Sequence, residues 1–178
     1  MNTLEQSWPY PPLNPALAAD EVHVWRIALN RPIQEVQRLQ NLLASEEISR
    51  ADRFRFEKDR LRFVVVRGLL RVILGRYLDL QPSQLRFVYS DYGKPALAPA
   101  PTTMGLSFNL SHAHELALVA VTRVRQLGID LEHIRPIPEV EQIAERIFSP
   151  QEKEMFRALP GTKKLEVFFL YWTCKEAY

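Results

Sequence analysis

The chain has 178 residues, 47% of them hydrophobic and 25% charged, with a formal net charge of +2. That length holds one domain or two closely packed small ones, with enough apolar residues for a core. The one cysteine, Cys174, excludes a disulfide framework or a cysteine-built zinc cluster and fits a reducing cytoplasm; no apolar run is of membrane-spanning length, and Glu5 and several prolines stand where a secretion signal would be basic and then apolar.

Trp8 to Pro15, with Pro9, Pro11 and Pro12 between them, predicts an extended arm. Glu21 to Leu29 carries Val22, Val24, Trp25, Ile27 and Leu29 and predicts a strand. Pro32 suits the first turn of a helix bearing Ile33, Val36, Leu39 and Leu43. Ser45, Glu46 and Glu47 predict a second helix start. Asp59 opens a long helix over residues 60–77, with an apolar stripe of Leu61, Val64, Val65, Gly68, Leu69, Val72 and Ile73. Arg60, Arg67 and Arg71 lie off the centre of that stripe and are expected to solvate it, with one or two left to face a phosphate. From Arg50 to Arg76 there are eight arginines and one lysine against three acids, a candidate anion-binding surface. It is read as lacking interleaved exposed aromatics or a recognised nucleic-acid motif, which argues against nucleic acid as the partner.

Leu85, Phe87 and Tyr89 alternate as a strand, the stretch 90–95 is a turn, and the prolines of 96–103 predict a loop. Leu106 to Leu110 reads as a short strand closed by Ser111 and His112, and Leu116 to Val121 as another. Helices are expected over 139–148, from the Ser149-Pro150-Gln151-Glu152 start, and over 163–178, with Gly161 between the last two. The fold class is α+β, in two similar halves, each a small antiparallel sheet packed with helices, meeting near residues 99–105. The division is 1–104 and 105–178.

Two places carry unusual acids. Leu127, Ile129 and Leu131 alternate with Gly128, Asp130 and Glu132, the period of a strand, so the two acids project from one face with a backbone spacing of about 6.6 Å. They either flank a hard cation such as Mg²⁺ or sit on the solvated face of an edge strand. Gly128 leaves room for a close backbone approach. On the last helix, Leu165, Phe168, Phe169 and Trp172 form one stripe, and Glu176 is next on it. There it is paired, cation-bound, or exposed where the helix end emerges into water. His112 and His114, two apart, with Asp130 suggest a transition-metal site, a reading disfavoured because a surface histidine is commonplace.

Phe108-Asn109-Leu110-Ser111-His112, Gly128-Ile129-Asp130-Leu131-Glu132 and Trp172-Thr173-Cys174-Lys175-Glu176-Ala177 together resemble the signature set of the 4′-phosphopantetheinyl transferases. Gly93-Lys94-Pro95 is similar to that family's upstream turn. The resemblance spans about Ser45 to Tyr178 and is nearest the larger, pseudo-dimeric members that prime synthase carrier domains. It implies Mg²⁺-dependent transfer of the phosphopantetheine arm of coenzyme A to a serine of an acyl or peptidyl carrier protein, releasing adenosine 3′,5′-bisphosphate. By the same resemblance Asp130, Glu132 and Glu176 bind the metal. Arg50, Gly93, Lys94, Pro95, Asn109, Ser111 and His112 bind coenzyme A, Arg50 near the 3′-phosphate and the turn against the adenine. Glu176, Asp130, His112 and Lys175 carry catalytic roles, Glu176 as the base; Lys175 also reads as a simple surface pair with Glu176. A cytoplasmic monomer with pseudo-twofold halves is implied, with neither nucleic acid nor membrane as partner. Family members continue the last helix to a further lysine, so a truncated chain, slow in transfer or binding coenzyme A without transferring it, is the expectation.

Overall fold

The computed structural model describes residues 8–91 and 93–178. The sequence features at Glu5 and Tyr92 lie outside the described residues. Strand β1 (Val22–Ala28) is followed by helices α1 (Ile33–Gln40), α2 (Ser45–Ala51) and α3 (Glu57–Leu78). A hairpin of β2 (Phe87–Tyr89) and β3 (Pro95–Leu97) precedes β4 (Leu106–Ala113) and β5 (Leu116–Arg123). Helices α4 (Val140–Ile147), α5 (Pro150–Arg157) and α6 (Gly161–Ala177) close the chain. No described helix is long and apolar enough to cross a membrane.

The architecture is α+β with small antiparallel sheets. One has three strands in the order β1-β5-β4, and the other is the β2–β3 hairpin. Strand β5 is central, and Ala117, Val119 and Val121 on one face are completely buried. They share a core with Val64, Val65, Leu70 and Leu74 of α3. The 22-residue α3 is the axis of that core. At Gly68 a side chain would begin 2.7 Å from Leu39 Cβ, so only glycine lets α1 pack this closely on α3. Because β1 pairs with β5, the sheet draws from both sides of residues 99–105. The hydrophobic clusters divide farther along, one running from Ile27 to Val121 and the other from Ala144 to Phe169.

Several elements differ from their sequence expectation. The loop expected over 96–103 begins with β3, because Pro95 occupies the edge of a two-stranded ribbon, where a missing N–H is tolerated. Strand β4 runs on through Ser111 and His112, carried by its ladder with β5. Gly161 opens α6 rather than separating it from α5; Pro160 makes the break. Helix α5 starts as expected: Ser149 Oγ accepts from Glu152 N at 3.3 Å, and Ser149 N donates to the Glu152 carboxylate at 2.7 Å. The largest correction concerns the arginines of α3. Arg67 and Arg71 are buried, not spread on the surface, because Glu47 of α2 meets both. The strand expected at 127–132 forms no ladder; side chains of β4 hold that segment instead.

Candidate active site

Alternation along β4 puts Asn109 and Ser111 on one face, toward the extended segment 127–131. Asn109 Nδ2 donates to Leu127 O at 3.2 Å. Ser111 Oγ accepts from Leu131 N at 3.2 Å and donates to Asp130 Oδ1 at 2.9 Å. One serine hydroxyl therefore fixes both the backbone and the carboxylate of this segment. The other oxygen, Asp130 Oδ2, is buried and has no hydrogen-bond partner among the described residues. A bare buried carboxylate oxygen is costly unless a cation or donor meets it.

Gly128 decides how α6 arrives. A Cβ at this position would lie 1.5 Å from Ala177 O, so any side chain here would drive the last turn of α6 away. The expected close approach is that of the helix end carrying Glu176. Glu176 itself is exposed, so the stripe of Phe168 and Phe169 has left the core before reaching it. Glu132 is half-buried and lines a cavity of about 410 Å³ with Asn30, Leu131 and His133. His114, held at φ 55°, stacks on His133 with ring centroids 4.6 Å apart. Among the described residues, no three His, Cys, Asp or Glu side chains are gathered into a metal cage. Asp130, Glu132 and Glu176 are therefore not closed on one point.

Lys175 pairs with Glu152 of α5 at 2.8 Å, not with Glu176. The ammonium beside it holds the Glu152 carboxyl below its ordinary value, helped by Ser149 N–H. His112 is exposed on β4. Between β2 and β3, Gly93 adopts φ 77° in a turn closed by Gly93 N to Ser90 O at 2.8 Å and Lys94 N to Ser90 Oγ at 3.1 Å. Arg50, exposed on α2, reaches this turn: its Nη2 is 3.8 Å from where a Gly93 Cβ would stand. Arg50 and Gly93-Lys94-Pro95 are thus brought together. A cavity of about 1030 Å³ runs from Lys94 and Pro95 past Phe108 to Gly128 and Ala177, joining the turn to the carboxylate segment.

The model of the N-terminal region of 4′-phosphopantetheinyl transferases matches residues 25–124, and that of the transferase superfamily matches 126–178. HetI of Nostoc sp., a 4′-phosphopantetheinyl transferase, is 49% identical over 175 residues, covering 98% of this chain and 74% of HetI. The chain belongs to the 4′-phosphopantetheinyl transferase family. Sfp of Bacillus subtilis is 28% identical over 157 residues, 87% of this chain and 67% of Sfp. The psf-1 transferase of Bacillus pumilus is 32% identical over 145 residues, 82% of this chain and 60% of that protein. The family read from the motifs, and with it the class of enzyme, holds. Sequence reasoning missed the cluster of Glu47, Arg67, Arg71 and Tyr89 behind the Gly93 turn, where Arg67 Nη2 donates to Tyr89 Oη. The only available signal was the density of arginine on an otherwise apolar helix.

Proposed function

We propose that the chain transfers the 4′-phosphopantetheine arm of coenzyme A to a serine of an acyl or peptidyl carrier protein, with Mg²⁺, releasing adenosine 3′,5′-bisphosphate. The observation that carries this reading is Asp130: one carboxylate oxygen is fixed by Ser111 and the other is buried without a partner. That donor fits a hard cation. Asp130 and Glu132 would hold Mg²⁺, and Glu176, exposed and not gathered with them here, would have to join as the third acid. When bound, the ion neutralises charge on the pyrophosphate oxygens and on the leaving bisphosphate.

The remaining work falls to side chains. Arg50, by the Gly93 turn, would take the 3′-phosphate, and Lys94 with Pro95 would face the adenine. Asn109 and Ser111 on one face of β4, with the exposed His112 next to them on the other, would contact the coenzyme between the turn and the carboxylates. Glu176 would take the proton of the acceptor serine as its oxygen attacks phosphorus and the bond to the leaving bisphosphate breaks. Lys175, already paired with Glu152, would help orient the last turn of α6. The monomer is proposed to work as two similar halves, 1–104 presenting the donor surface and 105–178 the cation site. Two separate hydrophobic clusters support a two-part body, although they part between Val121 and Ala144 rather than at 104.

The test is mass spectrometry of an apo carrier protein incubated with the chain, coenzyme A and Mg²⁺. Addition of the arm is expected, with none in the presence of a chelator. Asp130→Ala is expected to abolish transfer while near-UV circular dichroism stays native. An alanine variant that transfers at the parent rate removes Asp130 from the cation site, and coenzyme A binding without transfer marks a binding module instead.

A further inference from the structure

Arg67 and Arg71 lie one turn apart on α3 and share a single carboxylate. Arg67 Nε donates to Glu47 Oε1 at 2.8 Å, and Arg71 Nε donates to Oε2 at 2.7 Å. The three side chains are only 6, 2 and 3% exposed. Two guanidiniums against one carboxylate leave the cluster with a net positive charge. Hydrophobic residues of the same volume would hold these helices at least as firmly. What a planar guanidinium adds is direction, because its donors point along fixed lines.

Those lines lead to the β2–β3 hairpin. Arg71 Nη1 donates to Pro82 O at 2.9 Å and Leu85 O at 3.0 Å, at the entry to β2. Arg67 Nη2 donates to the hydroxyl of Tyr89, the last residue of β2. Both guanidiniums also lie over the Phe87 ring, 4.8 and 5.1 Å from its centroid. The turn at the far end of this hairpin carries Gly93 and Lys94. On the other side, Glu47 belongs to α2 and Arg50 follows it by one turn, reaching back to Gly93. The helix that carries Arg50 and the hairpin that carries Lys94 are thus tied to the same two buried arginines. Tyr89 also walls the large cavity beside Lys94.

We propose that Glu47, Arg67 and Tyr89 are positioning residues for the donor turn, setting the separation of Arg50 from Lys94. The proposal rests on the coenzyme A reading above. It differs from a packing role in what it predicts. A packing defect lowers stability alone, whereas a misplaced turn weakens the hold on coenzyme A in a protein that is still folded.

The experiment is calorimetric titration of coenzyme A into the full chain, with thermal melts and near-UV circular dichroism on the same samples. The variants are Tyr89→Phe, which deletes one oxygen, and Arg67→Lys, which keeps the charge and loses the fork. Each is made in the parent and in a Lys94→Ala background. Tyr89→Phe is expected to keep a native spectrum and weaken coenzyme A about three- to tenfold, the scale of one lost hydrogen bond. The loss is expected to shrink in the Lys94→Ala background, because the two substitutions act through one turn. In the transfer assay the loss is expected in KM for coenzyme A, with kcat close to the parent. If Tyr89→Phe and Arg67→Lys bind coenzyme A like the parent while Arg50→Ala and Lys94→Ala do not, the positioning role is overturned and the donor reading stands. If Arg50→Ala and Lys94→Ala also bind like the parent, the donor reading falls and takes this proposal with it. A loss of affinity that merely tracks loss of the native spectrum overturns the proposal as well.

Discussion

Replacing Ser111 by alanine deletes one oxygen and with it the hydroxyl bonds that pin the carboxylate segment to β4. Asp130 Oδ1 loses its donor at 2.9 Å, and Leu131 N loses its acceptor at 3.2 Å. The buried Oδ2 is already unpartnered, so the half-buried Asp130 carboxylate is left without the Ser111 bond on Oδ1 and with none on Oδ2 among the described residues. A hydrogen bond to a charged group contributes about 1.5–3 kcal/mol, and a stranded buried N–H costs about 1–3 kcal/mol. The segment can relieve both by lifting off β4, where Asn109 alone of these two side chains would still hold Leu127. That escape caps the loss near the lower end, at about 2 kcal/mol. For a chain of this size, a loss of that order lowers Tm by about 4–8 °C. The assay is urea and thermal unfolding of Ser111→Ala beside Ser111→Thr, which keeps a hydroxyl. Threonine is expected to recover most of the loss. If Ser111→Ala unfolds within about 0.5 kcal/mol of the parent, the usual scatter of surface substitutions, then Ser111 is not what holds the segment.

Phe168, 2% exposed and in ring contact with Phe148, Phe169 and Trp172, is the centre of the second cluster. Phe168→Ala is expected to cost about 3–5 kcal/mol by denaturant unfolding, with the loss confined to residues 137–178 by hydrogen exchange. Arg50→Ala is expected to weaken coenzyme A more than dephospho-coenzyme A, by about 1.5–3 kcal/mol by calorimetry, and equal losses remove Arg50 from the 3′-phosphate. The Glu152 carboxyl is held low, first by the Lys175 ammonium. Its contribution is therefore present above the unfolded carboxylate value, about 4.3, and is lost as pH falls through the lower folded value. Amides in the last turn of α6 are expected to lose protection relative to their intrinsic exchange rates on acidification, and Glu152→Gln to blunt that dependence; an unchanged protection profile refutes the Lys175 tether.

Local chemistry determined much of this molecule before any chain contact is considered. The cap at Ser149 and Glu152 spans four residues and is decided by them. The aromatic stripe of α6 follows from helical period alone, whereas α3 is buried on most of its sides: Val66, Leu70 and Leu74, outside its expected stripe, are in the core, and Leu69 and Val72 within that stripe are half-buried. The order of the Asn-Leu-Ser-His, Gly-Ile-Asp-Leu-Glu and Trp-Thr-Cys-Lys-Glu motifs carried the family. Gly128 announced a close approach, though not that Ala177 would make it. What the sequence left open depended on distant partners. Leu127 to Leu131 alternates like a strand, but a ladder needs a neighbouring backbone, and here β4 offers Asn109 and Ser111 side chains instead. Glu176 continues the stripe of Phe168, yet it is exposed, because a stripe cannot say where the core ends. Arg67 and Arg71 sit off the apolar stripe of their helix, where arginine is ordinarily solvated. They are buried because a carboxylate 20 and 24 residues earlier arrives on another helix. Periodicity reports which face a residue occupies, and only the tertiary structure decides what that face meets.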